Sequence, residues 1–167
     1  LANARQRDAT VWTVGNGGGC ALASHLAVGL TLNTLRAGGR PFRAMCLGAD
    51  AAALSAATND FGADQALRAI LECNGRRGDV LCAFSVSGES PNINQAVAAA
   101  NEMEIEVIAV VGNDASTTAR LADCTVALGS IEPGIAEDMA SAVMHAIYCA
   151  FMYENAISLP AVFADAD

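Results

Sequence analysis

The sequence predicts an α/β protein: a three-layer, doubly wound domain on a five-stranded parallel sheet, with residues 1–167 forming one unit. Three observations predict it. Short β-rich runs recur five times with helical patterning between them, the alternation that a parallel sheet requires. A glycine-rich turn, Gly15-Asn16-Gly17-Gly18-Gly19, follows the first run and opens a helix. The chain has 167 residues, enough for one core that removes roughly two thirds of the unfolded surface from water, with no room for a second.

The first strand is expected at 11–14, where Val11, Trp12, Thr13 and Val14 all favour strands. The helix after it, 20–36, repeats Leu22, Leu26 and Leu30 on one face. A second strand is expected at 42–47, followed by helices at 54–58 and 63–73. The third strand, 79–84, runs into Ser85-Val86-Ser87-Gly88-Glu89-Ser90, and Ser90 before Pro91 supplies an N-cap and a first-turn proline for a helix at 91–103. Strands at 106–111 and 124–128 flank a short helix at 116–121, and a last helix is expected at 135–155. Residues 157–167 read as an irregular tail around Pro160, with Ile157, Leu159, Val162 and Phe163 available for docking. Right-handed crossovers gather the functional loops at the carboxyl ends of the strands, near the point where strand order reverses.

Composition excludes several classes of function. Hydrophobic residues make up 53% of the chain and charged ones 16%, more apolar surface than one small core uses, which points to a subunit interface. The apolar stretch 139–152 is too short to span a membrane, which takes about 20 residues. The first ten residues carry Arg5, Arg7 and Asp8 and no apolar signal segment, so a cytoplasmic location is expected. Six cysteines are scattered without a C-x-x-C pair, giving neither a zinc ribbon nor a disulfide framework. The formal charge of −9, with no lysine and no stripe of arginines, argues against direct nucleic-acid binding.

Two loops carry chemistry. The glycine turn lets backbone amides approach a ligand at a helix N-terminus. It is not a dinucleotide fingerprint, because Cys20 stands at the last position and Asp50 comes too late for a ribose contact, and no Gly-Lys-Ser or Gly-Lys-Thr exists for a nucleotide P-loop. In the second loop, Ser85, Ser87 and Ser90 offer hydroxyls, and the free amides of the following helix add donors, enough to hold a phosphate dianion without lysine. The plainer alternative is that these serines only cap and turn.

These loops, at their spacing, resemble the sugar isomerase (SIS) family, in particular its phosphoheptose isomerases. Gly15 to Gly18 matches G-N-G-G, Asn59-Asp60 an N-D after the second strand, Gly78 to Leu81 a G-D-V-L, and Ser85 to Ser90 the phosphate loop. The resemblance covers roughly 11–152 and implies the SIS fold with a flavodoxin-like strand order. It implies substrate contacts from Asn16, Gly17, Gly18, Asp60, Ser85, Ser87 and Ser90. It also implies acid/base work by His145 on an aldose–ketose change of a sugar phosphate such as sedoheptulose 7-phosphate; Glu137, which stands where many members carry a glutamine ligand, is a candidate to move protons beside it. An enediol route needs a base at carbon and a proton donor near oxygen, and imidazole serves either step. Some members bind zinc, and His25, Glu137 and His145 offer a two-histidine, one-carboxylate set for it. Glu137 and Asp138 are alternatively acids placed in the first turn of a helix, and His25 is alternatively a core histidine bonded to backbone.

The sequence also departs from the family. Gly29 stands one turn after His25, where the family's catalytic carboxylate belongs, Gly19 replaces a serine, Val86 a threonine, and Gly134 an acid. An alternative reading follows: a non-catalytic sugar-phosphate sensor or partner-binding relative. Homodimer or homotetramer assembly is expected, with sites between subunits, and a paralogue in a hetero-oligomer is a further source for the missing carboxylate. Cys20 is expected to pack rather than to react.

Overall fold

The computed structural model describes residues 1–153; the tail at 157–167 and the last residues of the final expected helix lie outside them. Five strands, β1 (Thr10–Gly15), β2 (Arg43–Cys46), β3 (Val80–Ser85), β4 (Glu106–Val111) and β5 (Cys124–Ala127), form one sheet. Every pairing is parallel, in the order β2-β1-β3-β4-β5. This is the flavodoxin-like doubly wound order, and its switch point lies where β1 has β2 on one side and β3 on the other.

Helices cover both faces: α1 (Ala2–Gln6), α2 (Gly17–Val28), α3 (Thr34–Arg36), α4 (Ala51–Phe61), α5 (Ala63–Asn74), α6 (Pro91–Glu102), α7 (Thr117–Leu121) and α8 (Pro133–Met152). Side chains alternate along each strand, so Val80, Cys82 and Phe84 of β3 join a core with Leu26, Leu30, Met144 and Tyr148 from α2 and α8. Leu81 and Ala83 point the other way, into Leu67 and Leu71 of α5 and Ile93 and Val97 of α6. Asp79, just before β3, is buried because it has three donors to satisfy: the Thr10 and Arg76 amides and the Trp12 indole N–H, at 2.8, 3.0 and 2.9 Å.

The segment from Gly17 to Arg36 is helical throughout but not regular. Between α2 and α3 a π-helical turn spans Gly29–Asn33, and the Thr34 hydroxyl donates to the Gly29 carbonyl at 3.0 Å. Such wide turns collect at functional positions. Here Gly29 is buried beneath Tyr148, and a Cβ at position 29 would overlap the tyrosine ring.

Among the described residues no helix is long and apolar enough to cross a membrane.

Candidate active site at the carboxyl ends of β1 and β3

Gly15, the last residue of β1, is in register with Phe84 of β3, so the glycine turn and the serine loop emerge side by side at the switch point. They enclose a cavity of about 260 Å3 lined by Asn16, Ser85, Ser87, Ser90 and Glu137 over an apolar floor that includes Phe84. A larger cleft of about 520 Å3 lies at the opposite end of the sheet, where Asp79 is committed to structural bonds.

Local bonding leaves the serine hydroxyls free to act. Ser85 is buried and its Oγ accepts from the Gly88 amide at 3.2 Å, while Ser87 Oγ accepts from the Glu89 amide at 3.2 Å. Both therefore keep an O–H to donate outward. Ser90 is the N-cap residue of α6, yet its side chain makes no capping bond and lines the cavity instead. The reading in which these serines only cap and turn thus fails for Ser90. Gly88 is required at the crown of the loop, since its φ of 65° is left-handed and a Cβ would overlap the Ser116 hydroxyl.

Glu89 anchors this loop to α7. Its carboxylate accepts from the Thr117 hydroxyl at 2.6 Å and the Thr117 amide at 2.8 Å, and those bonds hold its carboxyl below the usual carboxylate range. A depressed folded-state value gives stability that is present above the ordinary glutamate value of 4.5 and lost as pH falls through the lower folded one. Melting curves of the protein and its Glu89→Gln variant should therefore differ by a constant amount above that value and converge below it.

The two loops are tied by a contact that sequence reasoning missed. The side-chain amides of Asn16 and Asn92 exchange hydrogen bonds, at 2.9 and 2.8 Å. Gly19 lies against the Phe84 carbonyl, 3.1 Å from where its Cβ would stand, so a serine there would push on β3. Gly17 has a left-handed φ of 50° and does not line the cavity.

Glu137 stands in the second turn of α8, not the first, because the helix begins at Pro133 with the Glu132 carboxylate capping the Ile135 amide at 2.7 Å. The reading as a first-turn acid is thereby corrected. The half-buried carboxylate lies over Gly18, so close that a Cβ at position 18 would overlap it, at the positive end of α2.

The histidines occupy a different place. His25 and His145 are both exposed and meet edge to face, 5.1 Å between ring centroids, with Tyr148 5.9 and 5.4 Å from them. His25 is therefore not a core histidine. His145 Nδ1 is 2.7 Å from the Ser141 carbonyl; a carbonyl only accepts, so Nδ1 carries the proton and Nε2 keeps the lone pair in the neutral ring. Eight residues of helix separate Glu137 from His145, a rise of about 12 Å, and neither histidine lines the cavity.

Two expectations change as a result. The set His25, Glu137 and His145 is not assembled for zinc within the chain, because Glu137 turns toward Gly18; no group of three His, Cys, Asp or Glu side chains that could hold a metal occurs among the described residues. Asp60 does not reach the cavity either. It sits in the last turn of α4, exposed, accepting from the Asn59 amide at 2.9 Å. Asp50, by contrast, is spent as the N-cap of α4.

Residues 1–112 match the family model described as SIS domain. The phosphoheptose isomerase of Chlorobaculum parvum is 36% identical over 127 residues, 75% of this chain and 61% of that protein. That of Aromatoleum aromaticum is 40% identical over 109 residues, 65% of this chain and 54% of that protein. The chain thus spans less than two thirds of the length of these relatives. The solved phosphoheptose isomerase of Neisseria gonorrhoeae superposes with a TM-score of 0.78 at 30% identity, over 91% of this chain and 79% of that one. The Francisella tularensis enzyme has the same fold, with a TM-score of 0.80 at 24% identity. Parallel sheet, serine loop and glycine turn together with these matches place the chain: it belongs to the SIS domain family.

Proposed function

We propose that the chain binds a sugar phosphate through Ser85, Ser87 and Ser90 and interconverts its aldose and ketose forms, the substrate being a seven-carbon sugar such as sedoheptulose 7-phosphate. The observation that carries the reading is Ser90, an N-cap residue whose hydroxyl is left to the cavity and not to its own helix. Three hydroxyls and the start of α6 then supply donors and a positive dipole end to one dianion. The relatives named phosphoheptose isomerase and the match to the N. gonorrhoeae enzyme support the choice of substrate.

With the phosphate in the serine loop, the carbonyl end extends toward Glu137. Its carboxylate takes the proton from the carbon next to the carbonyl, the carbonyl oxygen takes a proton to complete the enediol, the neighbouring hydroxyl gives one up as the new carbonyl forms, and the carboxyl returns its proton to the former carbonyl carbon, so that no atom is gained or lost. His145 Nε2 is the second proton carrier in this reading. Because it lies outside the cavity of its own chain, a second copy is needed to bring an imidazole to the sugar, in line with sites between subunits. Val28, Leu32 and Leu35, which follow His25 in the chain, and Ile135 and Met139 of α8 are exposed and suit such a contact. Leu32→Glu is expected to halve the particle mass or reduce it further in light scattering, with the melting temperature of the separated chain little changed.

Isomer formation followed by NMR tests the whole reading. Appearance of the aldose phosphate from sedoheptulose 7-phosphate supports the isomerase. Phosphate-dependent binding without turnover would instead leave a sensor.

A further inference from the structure

Cys20 and Cys46 come from different elements, the first turns of α2 and the end of β2, yet their Sγ atoms are 4.0 Å apart. Their surroundings are unequal. Cys46 lines an open groove of about 400 Å3 beside Met45 and Val28, and Cys20 does not. Cys20 lies beneath the turn after β2, where a Cβ on Gly48 would be 3.1 Å from its sulfur. Both thiols are half-buried, and of the two only Cys46 borders the groove. Cys82, in contrast, is enclosed in the core, and burial pushes its thiol up to about 12.

We propose that Cys20 and Cys46 form an oxidisable dithiol in which a hydroperoxide first oxidises Cys46 and Cys20 then closes a disulfide from α2 to β2. In the first step the Cys46 sulfur attacks the O–O bond, becomes the sulfenic acid, and releases water or an alcohol. In the second, the Cys20 sulfur displaces hydroxide from that sulfenic acid; with the Cys20 proton this leaves as water, and the S–S bond forms. The two sulfurs lose two electrons and the peroxide bond gains them. The order follows from the groove, which of the two only Cys46 borders; burial, then the neighbouring Cys46, pushes the Cys20 thiol up. The sulfurs must approach by about 2 Å to reach bonding distance. That movement is open to Cys46 at the groove edge, on a sheet-edge strand of four residues.

The arrangement of arginines makes the test direct. Cleavage after arginine puts Cys20 alone on peptide 8–36 and Cys46 alone on 44–68. After treatment with hydrogen peroxide and blocking of free thiols, mass spectrometry should find these two peptides joined, two hydrogens lighter than their sum. Dithiothreitol should separate them, and the oxidised protein should run as a single chain on a non-reducing gel. In Cys20→Ser, Cys46 should proceed to sulfinic acid; in Cys46→Ser, Cys20 should stay a thiol, with circular dichroism confirming that both variants fold. Separate oxidation of the two cysteines in the unaltered protein, a cross-link between chains, or blocked thiols at both positions while exposed Cys73 reacts would each overturn the proposal.

Discussion

Replacing Glu137 by Gln is expected to lower turnover of sedoheptulose 7-phosphate by about 10²–10⁴-fold, the loss that follows removal of a positioned general base, with little change in binding. The carboxylate is half-buried over Gly18 and lines the same cavity as the three serines, so a Gln of equal shape keeps the packing and the cavity. The effect should therefore fall on kcat and not on KM. NMR turnover and calorimetric affinity on the same samples separate the two quantities. His145→Asn serves as the comparison, since its Nε2 is the other proton carrier. A Glu137→Gln protein that turns over normally while His145→Asn does not would reduce Glu137 to a surface acid and shift the base to the imidazole face.

Restoring a carboxylate at position 29 is expected to harm the protein. Gly29→Glu would drive a side chain into the Tyr148 ring and place an unpaired charge in a buried position, together destabilising it by about 3–5 kcal/mol. Tyr148→Ala empties the same space at a cost of about 3–5 kcal/mol, as for other large core aromatics. Because the two positions share one volume, the double variant should be more stable than the sum of the single costs by about 1–3 kcal/mol. Denaturant unfolding of the four proteins measures the coupling. Strict additivity would mean that Tyr148 swings aside without cost, and the absent carboxylate would then need an explanation other than Tyr148. The pair also explains how the chain tolerates Gly29 in a helix: the ring supplies the packing that a side chain at 29 would have given.

The sheet was legible because its information is local. Each β-rich run lies between turn residues, and all five strands fall within a residue or two of their expected bounds. Helices that depend on tertiary contacts were harder to read. α1 has only five residues and is held by Arg5, which donates to the Arg40 carbonyl and stacks on Phe42 and Phe151. No pattern in five residues announces that. The sequence predicts α4 only over 54–58, whereas the helix spans Ala51–Phe61, and within it only Ala57 is buried. The resemblance assigns Asp60 to the sugar, but Asp60 sits in the last turn of α4 and does not line the cavity of its own chain. Three glycines read as a loop in the sequence, yet they form the first turn of α2.

The candidate site divides in the same way. Ser85, Ser87 and Ser90 belong to one strand–turn–helix stretch, whose geometry follows from Gly88, Ser90 and Pro91 themselves. The Asn16–Asn92 amide pair joins residues 76 apart, and the cover of Glu137 over Gly18 joins helices at opposite ends of the chain. Both depend on how elements pack, which no local spacing encodes. Among the described residues the possible metal set is likewise not assembled. Spacing alone puts Glu137 and His145 on one face of α8, but not in one place, since eight residues of rise keep them about 12 Å apart.

Calorimetric titration with sedoheptulose 7-phosphate and with unphosphorylated sedoheptulose shows whether the serine loop recognises a phosphate on a sugar. Saturable binding of the phosphorylated sugar is expected, weakened at least about tenfold by Ser87→Ala, a loss of the size of one charge-assisted hydrogen bond, with no detectable binding of the free sugar. Equal affinity for the two sugars, or binding that is indifferent to Ser87→Ala and Ser90→Ala together, would contradict it.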